Sequence, residues 1–370
     1  MIKLAWRNLI QKPMHFIIST GGVGLAVLLI LVMGGVFAGS EEHAVLYMRN
    51  QPAELWGMQN GVANLHMSSS RLSADVVQQV QNFPGVAQAI GVLYASAGVE
   101  IADTVIYSYV FGIEPDAPFG GPWALADGNG SPGLNEIVID RDLAQRYGLT
   151  IGDTISILGF PLTITGLSEG AFGIATNVVF VNKTAMALLM DVSVQSASYV
   201  LIQPEAGIDI ERLAEELNQA IPEANILTQA EFIASDQEMI RQMGADILQM
   251  MNVIAYIIGV LIIGITVYTA MLERVREFGV LKAIGANTVQ LLSTVFAQSF
   301  IIALVGFGAG VVLAYLVSVL VISISPEILI FIEPNLWLSQ LPILVIVTGI
   351  ASLLPVQQIR TVDPLVVFKA

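Results

Sequence analysis

The sequence predicts a membrane protein with four transmembrane α-helices and a large α+β extracytoplasmic domain between helices 1 and 2. Three observations predict it. The chain is 55% hydrophobic and only 12% charged, with a mean hydropathy of +0.74, far more apolar than a soluble domain. Four apolar runs reach the roughly 20 residues that a spanning helix needs. Between the first and second runs, residues 41–246 hold 25 acidic and 7 basic residues, so that segment alone carries −18 of a total of −15.

In chain order, residues 1–15 read as an amphipathic helix at the cytoplasmic interface. Lys3, Arg7, Asn8, Gln11 and Lys12 share one face, and Ile2, Ala5, Trp6, Leu9 and Ile10 the other. Residues 16–40 are the first span. The apolar run is about twice a signal-peptide core, which predicts an uncleaved anchor. Gly35 and Gly39 form a G-x-x-x-G, as do Gly306 and Gly310 in the third span. That spacing permits close helix packing, within one chain or between two.

Residues 41–246 form the extracytoplasmic domain, enough for one or two packed subdomains. "LSADVVQQVQNF" is a helix with Ser73 as N-cap and Pro84-Gly85 at its end. "TVIYSYVFGI" is a strand. "NEIVID" and "RDLAQRYGL" are a strand and a short helix, and "DTISILG", "PLTITGL" and "NVVFV" are further strands. "DIERLAEELNQAI" is an amphipathic helix. The loose alternation predicts α+β with two subdomains. "NKT" at Asn182 matches a glycosylation acceptor but reads as an ordinary loop.

The end of this domain, 230–246, reads as a stalk helix. Heptads from Ile233 put Ile233, Ile240 and Ile247 at one seam position and Met243 and Met250 at the other, with Asp236 as the one violation outside the membrane. No Pro interrupts the chain between Pro222 and Pro326, so one helix can enter the second span at 247–272. Residues 273–287 follow, then spans at 288–323 and 336–356 around a short external loop at 324–335, and a tail at 357–370.

The positive-inside rule orients the spans. Lys3, Arg7 and Lys12, then Arg274, Arg276 and Lys282, then Arg360 and Lys369 mark one side; the 324–335 loop has no base. Both termini are therefore expected in the cytoplasm and the acidic domain outside. An acidic exterior disfavours nucleic-acid and phosphate partners. The chain has no Cys and three His. No H-E-x-x-H, G-x-S-x-G or G-x-x-x-x-G-K-[ST] occurs, which argues against an enzyme and against ATP hydrolysis by that route.

"ERVREFGVLKAIGAN", Glu273 to Asn287, packs charge between two apolar runs. Val275, Phe278 and Ile284 project together, Lys282 faces the helix end, and Gly285 is a C-cap candidate. Such a helix wants a surface. The stretch resembles the signature of MacB/FtsX/LolC-like permeases of ABC transporters, E-R-x-R-E-[IF]-G-x-[LM]-[KR]-A-[IL]-G-A. Glu273, Arg274, Arg276, Glu277, Phe278, Gly279, Lys282, Ala283, Ile284, Gly285 and Ala286 match it. "LAWRNLIQKP" and "RTVDPLVVFKA" resemble the ends of that family, and "GLTIGDTISILGFPLTITGLSE" resembles its external domain. Val275, Gln357 and Gln358 depart from the usual pattern.

The resemblance implies a permease subunit of type VII with no cofactor of its own. ATP and Mg would be held by a separate cytoplasmic ATPase docked on 273–285. A second permease chain, identical or different, would complete the membrane part, with a periplasmic adaptor or a substrate lipoprotein and membrane lipids as further partners. The location implied is a prokaryotic inner membrane. The function implied is mechanotransmission for export or extraction of lipid, lipoprotein or peptide. The alternative is an FtsX-like transducer that activates an external cell-wall hydrolase.

Overall fold

In this computed structural model the first described element is helix α1 (Pro13–Ala44). The structure describes residues 13–102, 104–172, 177–272, 288–325 and 328–351. Residues 1–12, the segment 273–287 and the tail lie outside the described residues, and with them the expected amphipathic helix and coupling segment. Two units form: residues 39–243 with 325–329, and the apolar helices with the remainder.

After α1, a short helix α2 (Leu46–Asn50) leads into β1 (Leu55–Gln59). Helix α3 (Ala74–Gln81) starts where the Ser73 hydroxyl accepts from the Val76 N–H. Gly85, at φ +89, makes the left-handed turn that follows it. The long strand β2 (Val86–Ile101) comes next, then β3 (Thr104–Ile113), β4 (Leu125–Gly128) and β5 (Glu136–Asp140). Asp140 caps α4 (Arg141–Tyr147), which Gly148 ends in the αL conformation. Strands β6 (Thr154–Ile157), β7 (Phe160–Ser168) and β8 (Val178–Asn182) follow. Asn182 then caps α5 (Lys183–Met190), before β9 (Tyr199–Pro204), α6 (Ile210–Ala220) and β10 (Ala224–Thr228).

One connected sheet of ten strands results, in the order β10-β1-β9-β2-β3-β8-β5-β7-β4, with β6 pairing β2 and β7. The sequence suggested two subdomains; the strands make two lobes that share β2. Its first half pairs with β9 from Val86↔Pro204 to Val92↔Tyr199. Its second half pairs with β3 from Leu93↔Gly112 to Ile101↔Thr104. In the second lobe β2, β3, β8, β5, β7 and β6 close into a ring, sealed where Val99 and Glu100 of β2 meet Ile157 and Ser156 of β6. Aliphatic side chains including Val99, Val110, Ile139, Ile155, Ile164 and Val181 fill it. In the first lobe α3 and α6 cover one face of the sheet through Val77, Val80, Leu213 and Leu217. The other core is aromatic: Trp56, Phe111, Phe180, Tyr199 and Phe232 are fully buried in it. Burial of such residues contributes roughly 1.5–3 kcal/mol each.

Helix α7 (Gln229–Leu272) is 44 residues long. Helix α8 (Thr288–Ile324) follows, then α9 (Pro334–Leu338) and α10 (Gln340–Ala351). Among the described residues three helices are long and apolar enough to cross a membrane, at Phe16–Ala44, Asp246–Ile265 and Phe296–Ile324. The fourth apolar run is described only as far as Ala351, and its 12-residue helix is shorter than a span. The described residues therefore give three such helices where the sequence predicts four.

Candidate functional site

The sequence singles out three sets of residues. The coupling set, Glu273 to Gly285, lies outside the described residues. The stalk seam and the glycine pairs lie within them.

The stalk starts with a capping box that the sequence reading passed over. Glu231 accepts from the N–H and hydroxyl of Thr228 at 2.9 and 2.8 Å, while the Glu231 N–H donates back to that hydroxyl. The signal was present as Thr228-Gln-Ala-Glu231. Gln229 then donates to the carbonyls of Met48 and Gln51. Phe232 is fully buried, 5.2 Å from the ring of Trp56 and 5.8 Å from that of Tyr199. Ile233 packs against the same aromatic core.

Asp236 is not a flaw in an apolar seam. It is fully buried, and its Oδ1 accepts the backbone N–H groups of Leu65 and His66 at 2.8 and 3.0 Å. Its Oδ2 meets His66 Nδ1. The helix thus turns this position toward its own domain. Three phenols gather near the carboxylate. Burial pushes Tyr94, Tyr109 and Tyr199 above the ordinary phenol range, and the charge of Asp236 adds to the shift. His66 stands edge-on to Tyr109, with centroids 4.8 Å apart.

Further along, Arg241 reaches Glu41 of α1 at 3.5 Å and Glu238 at 3.3 Å. Ile240 is half-buried. The rest of the seam is exposed among the described residues: Met243, Ile247 and Met250 are 56%, 64% and 66% exposed, and Ile254, Ile257 and Leu261 continue the stripe.

The four glycines all meet this chain's own atoms. A Cβ on Gly306 would lie 2.7 Å from Val23 and 2.8 Å from the Thr20 carbonyl; one on Gly310 would lie 2.7 Å from the Gly24 carbonyl. So α1 and α8 touch backbone to backbone. Gly35 accepts the Phe331 N–H at 2.8 Å and faces Ile330, and Gly39 faces the backbone of Leu329. Between α7 and α10, Tyr256 Oη donates to Gln340 Oε1 at 2.7 Å beside an apolar cavity lined by Val27, Ala255, Gly259, Phe307 and Leu344.

Chemically, the described residues offer anchoring. Among them no group of three or more His, Cys, Asp or Glu could hold a metal ion. A His–Asp pair is part of a hydrolytic triad, but among the described residues His66 Nε2 is buried with no hydrogen-bond partner, and none of them places a hydroxyl there as nucleophile. Asn182 is buried too. It receives the Thr184 N–H and donates to the Pro132 carbonyl, so it is a helix cap rather than a loop acceptor.

Residues 16–220 match the MacB-like periplasmic core domain, and residues 250–364 match the FtsX-like permease C-terminal domain. An uncharacterised ABC transporter permease of Mycobacterium tuberculosis (strain ATCC 25618 / H37Rv) is 23% identical over 369 residues, covering 100% of this chain and 99% of its own. A protein of Staphylococcus haemolyticus (strain JCSC1435), named as a candidate hemin transport system permease, HrtB, is 22% identical over 98% of both chains. The periplasmic region of MacB from Actinobacillus actinomycetemcomitans aligns with 52% of this chain and 96% of its own, at 10% identity and a TM-score of 0.39. The chain belongs to the MacB/FtsX family of ABC transporter permeases and is a membrane subunit that implies a partner ATPase.

Proposed function

We propose that this permease works by mechanotransmission. A separate cytoplasmic ATPase, which binds the ATP and Mg, docks on residues 273–285. Its closure displaces α7, and α7 carries the movement to the external sheet. The work is done outside the membrane, on a lipid, lipoprotein or peptide, and nothing need pass between the spans. The single observation behind this reading is α7 itself. Its first turns belong to the aromatic core through Phe232, its later turns are a candidate span, and the helix between them is unbroken.

Two further features support the reading. The exposed stripe from Met243 to Leu261 keeps coiled-coil spacing and suits a second permease chain packed along α7. The charge bias of the loops supports four spans with both termini in the cytoplasm. Glu277 and Lys282 test the docking step. Glu277→Lys with Lys282→Glu should abolish copurification of the ATPase while the permease still inserts in the membrane. Undiminished copurification with normal coupled ATPase activity would refute it.

A further inference from the structure

We propose that Asp236 and His66 form the joint at which displacement of α7 is handed to the external sheet. The inference rests on the mechanotransmission reading and names the residues that would execute it. Three features of the joint carry it.

The first is the source of the donors. Among the described residues, every hydrogen bond to the Asp236 carboxylate comes from one turn, through the N–H groups of Leu65 and His66 and the His66 ring. A fully buried carboxylate cannot trade those donors for water. If the helix slid along the domain, all three would be lost together and a charge would be left unpaired in the core. Gln229, in the first turn of α7, also makes directed bonds, to the Met48 and Gln51 carbonyls, but its amide is neutral; the other contacts of α7 in this unit are more forgiving. Phe232 and Ile233 make apolar contacts, which have no fixed direction. Arg241 is 56% exposed, so its ion pairs can be replaced by water and are screened by salt.

The second is the stiffness of the turn. The Ser68 hydroxyl bonds to the Asn64 side chain. The Tyr199 hydroxyl donates to the Asn64 carbonyl at 3.1 Å, and Asn225 Nδ2 donates to the Val62 carbonyl at 2.7 Å. Those two residues stand on β9 and β10, so the turn is tied to the two strands that flank β1. Met67 sits at φ +61 with its side chain 78% exposed. An unbranched residue held there is strained and persists because its surroundings fix it.

The third is the one-sided hold on the imidazole. Nδ1 is engaged by Asp236, while Nε2 is buried without a partner. A buried polar atom without a partner is rare and costly. Among the described residues the ring's hydrogen bond is the one at Nδ1, so its position follows Asp236. The edge contact with Tyr109 then passes that position to β3, in the ring of strands.

The test uses the full permease with its ATPase in lipid nanodiscs. The chain has no cysteine, so single cysteines at Leu188 and Gln242, both exposed, can carry spin labels. In the parent the Leu188–Gln242 distance should stay fixed between nucleotide-free and ATP-trapped states, because the domain follows the helix. In Asp236→Ala and in His66→Phe the same distance should shift with nucleotide. His66→Asn places an amide donor near the position of Nδ1 and should restore the fixed distance. Should Asp236→Ala fail to fold, the His66 pair of variants decides alone, since both keep the backbone donors. A nucleotide-dependent shift in the parent, or variants as fixed as the parent, overturns the joint. The Gln242 distance between two copies separates the causes. If it changes with nucleotide while the variants hold, the joint alone falls; if it never responds, the transmission reading falls and the joint with it.

Discussion

At the scale of single residues, the closest packing is bought at glycine. A side chain at Gly310 would collide with the Gly24 carbonyl and Val27, whereas a Cβ at Gly308, on the same helix, meets nothing within 4 Å. Gly310→Val should therefore cost about 1–3 kcal/mol, the usual range for overpacking, and lower the thermal midpoint of the detergent-solubilised chain. Gly308→Ala should leave that midpoint unchanged or slightly raised. Equal midpoints for the two variants would contradict the close approach of α1 and α8. The spacing of Gly306 and Gly310 was legible in the sequence, but their partners were not, because G-x-x-x-G says that something comes near without saying what. Asp236 was legible as an oddity. Its meaning depends on a turn 170 residues away in the chain, and no local pattern encodes such a pairing.

At the scale of elements, the amphipathic helices and the β-branched strands were readable because each carries its own period and its own cap. Ser73, Asp140 and Asp209 all accept the backbone N–H of an early helical residue. Asn182 reads as part of a loop in the sequence but caps α5, and the strands β1, β2, β4, β9 and β10 were not read. β2 is interrupted by Gly91 and Gly98 and is rich in alanine, and its identity comes from neighbours distant in sequence. The helical reading of the stalk makes its own prediction. Proline at Met243 removes one backbone hydrogen bond and clashes with the preceding turn, at a cost of about 3 kcal/mol. Met243→Pro should retain the ATPase but lose external function, and Met243→Ala should do much less harm. A transport or release assay paired with copurification checks both. Equal function in the two variants would remove the stalk from the mechanism.

At the scale of the whole molecule, the charge pattern makes a prediction about sidedness. A cysteine at Leu188, which is 77% exposed, should react with an impermeant thiol reagent in intact cells, and one at Asn287 should react only after the membrane is opened. Labelling of Asn287 from outside would invert the topology. The closed ring of strands has a consequence of another kind. Because β6 joins β7 back to β2, the outermost strands of the sheet among the described residues are β10, of 5 residues, and β4, of 4 residues with a break in register. A stray strand from a damaged neighbour finds little backbone to copy on edges that short. Short outermost strands are then also a defence against templated aggregation.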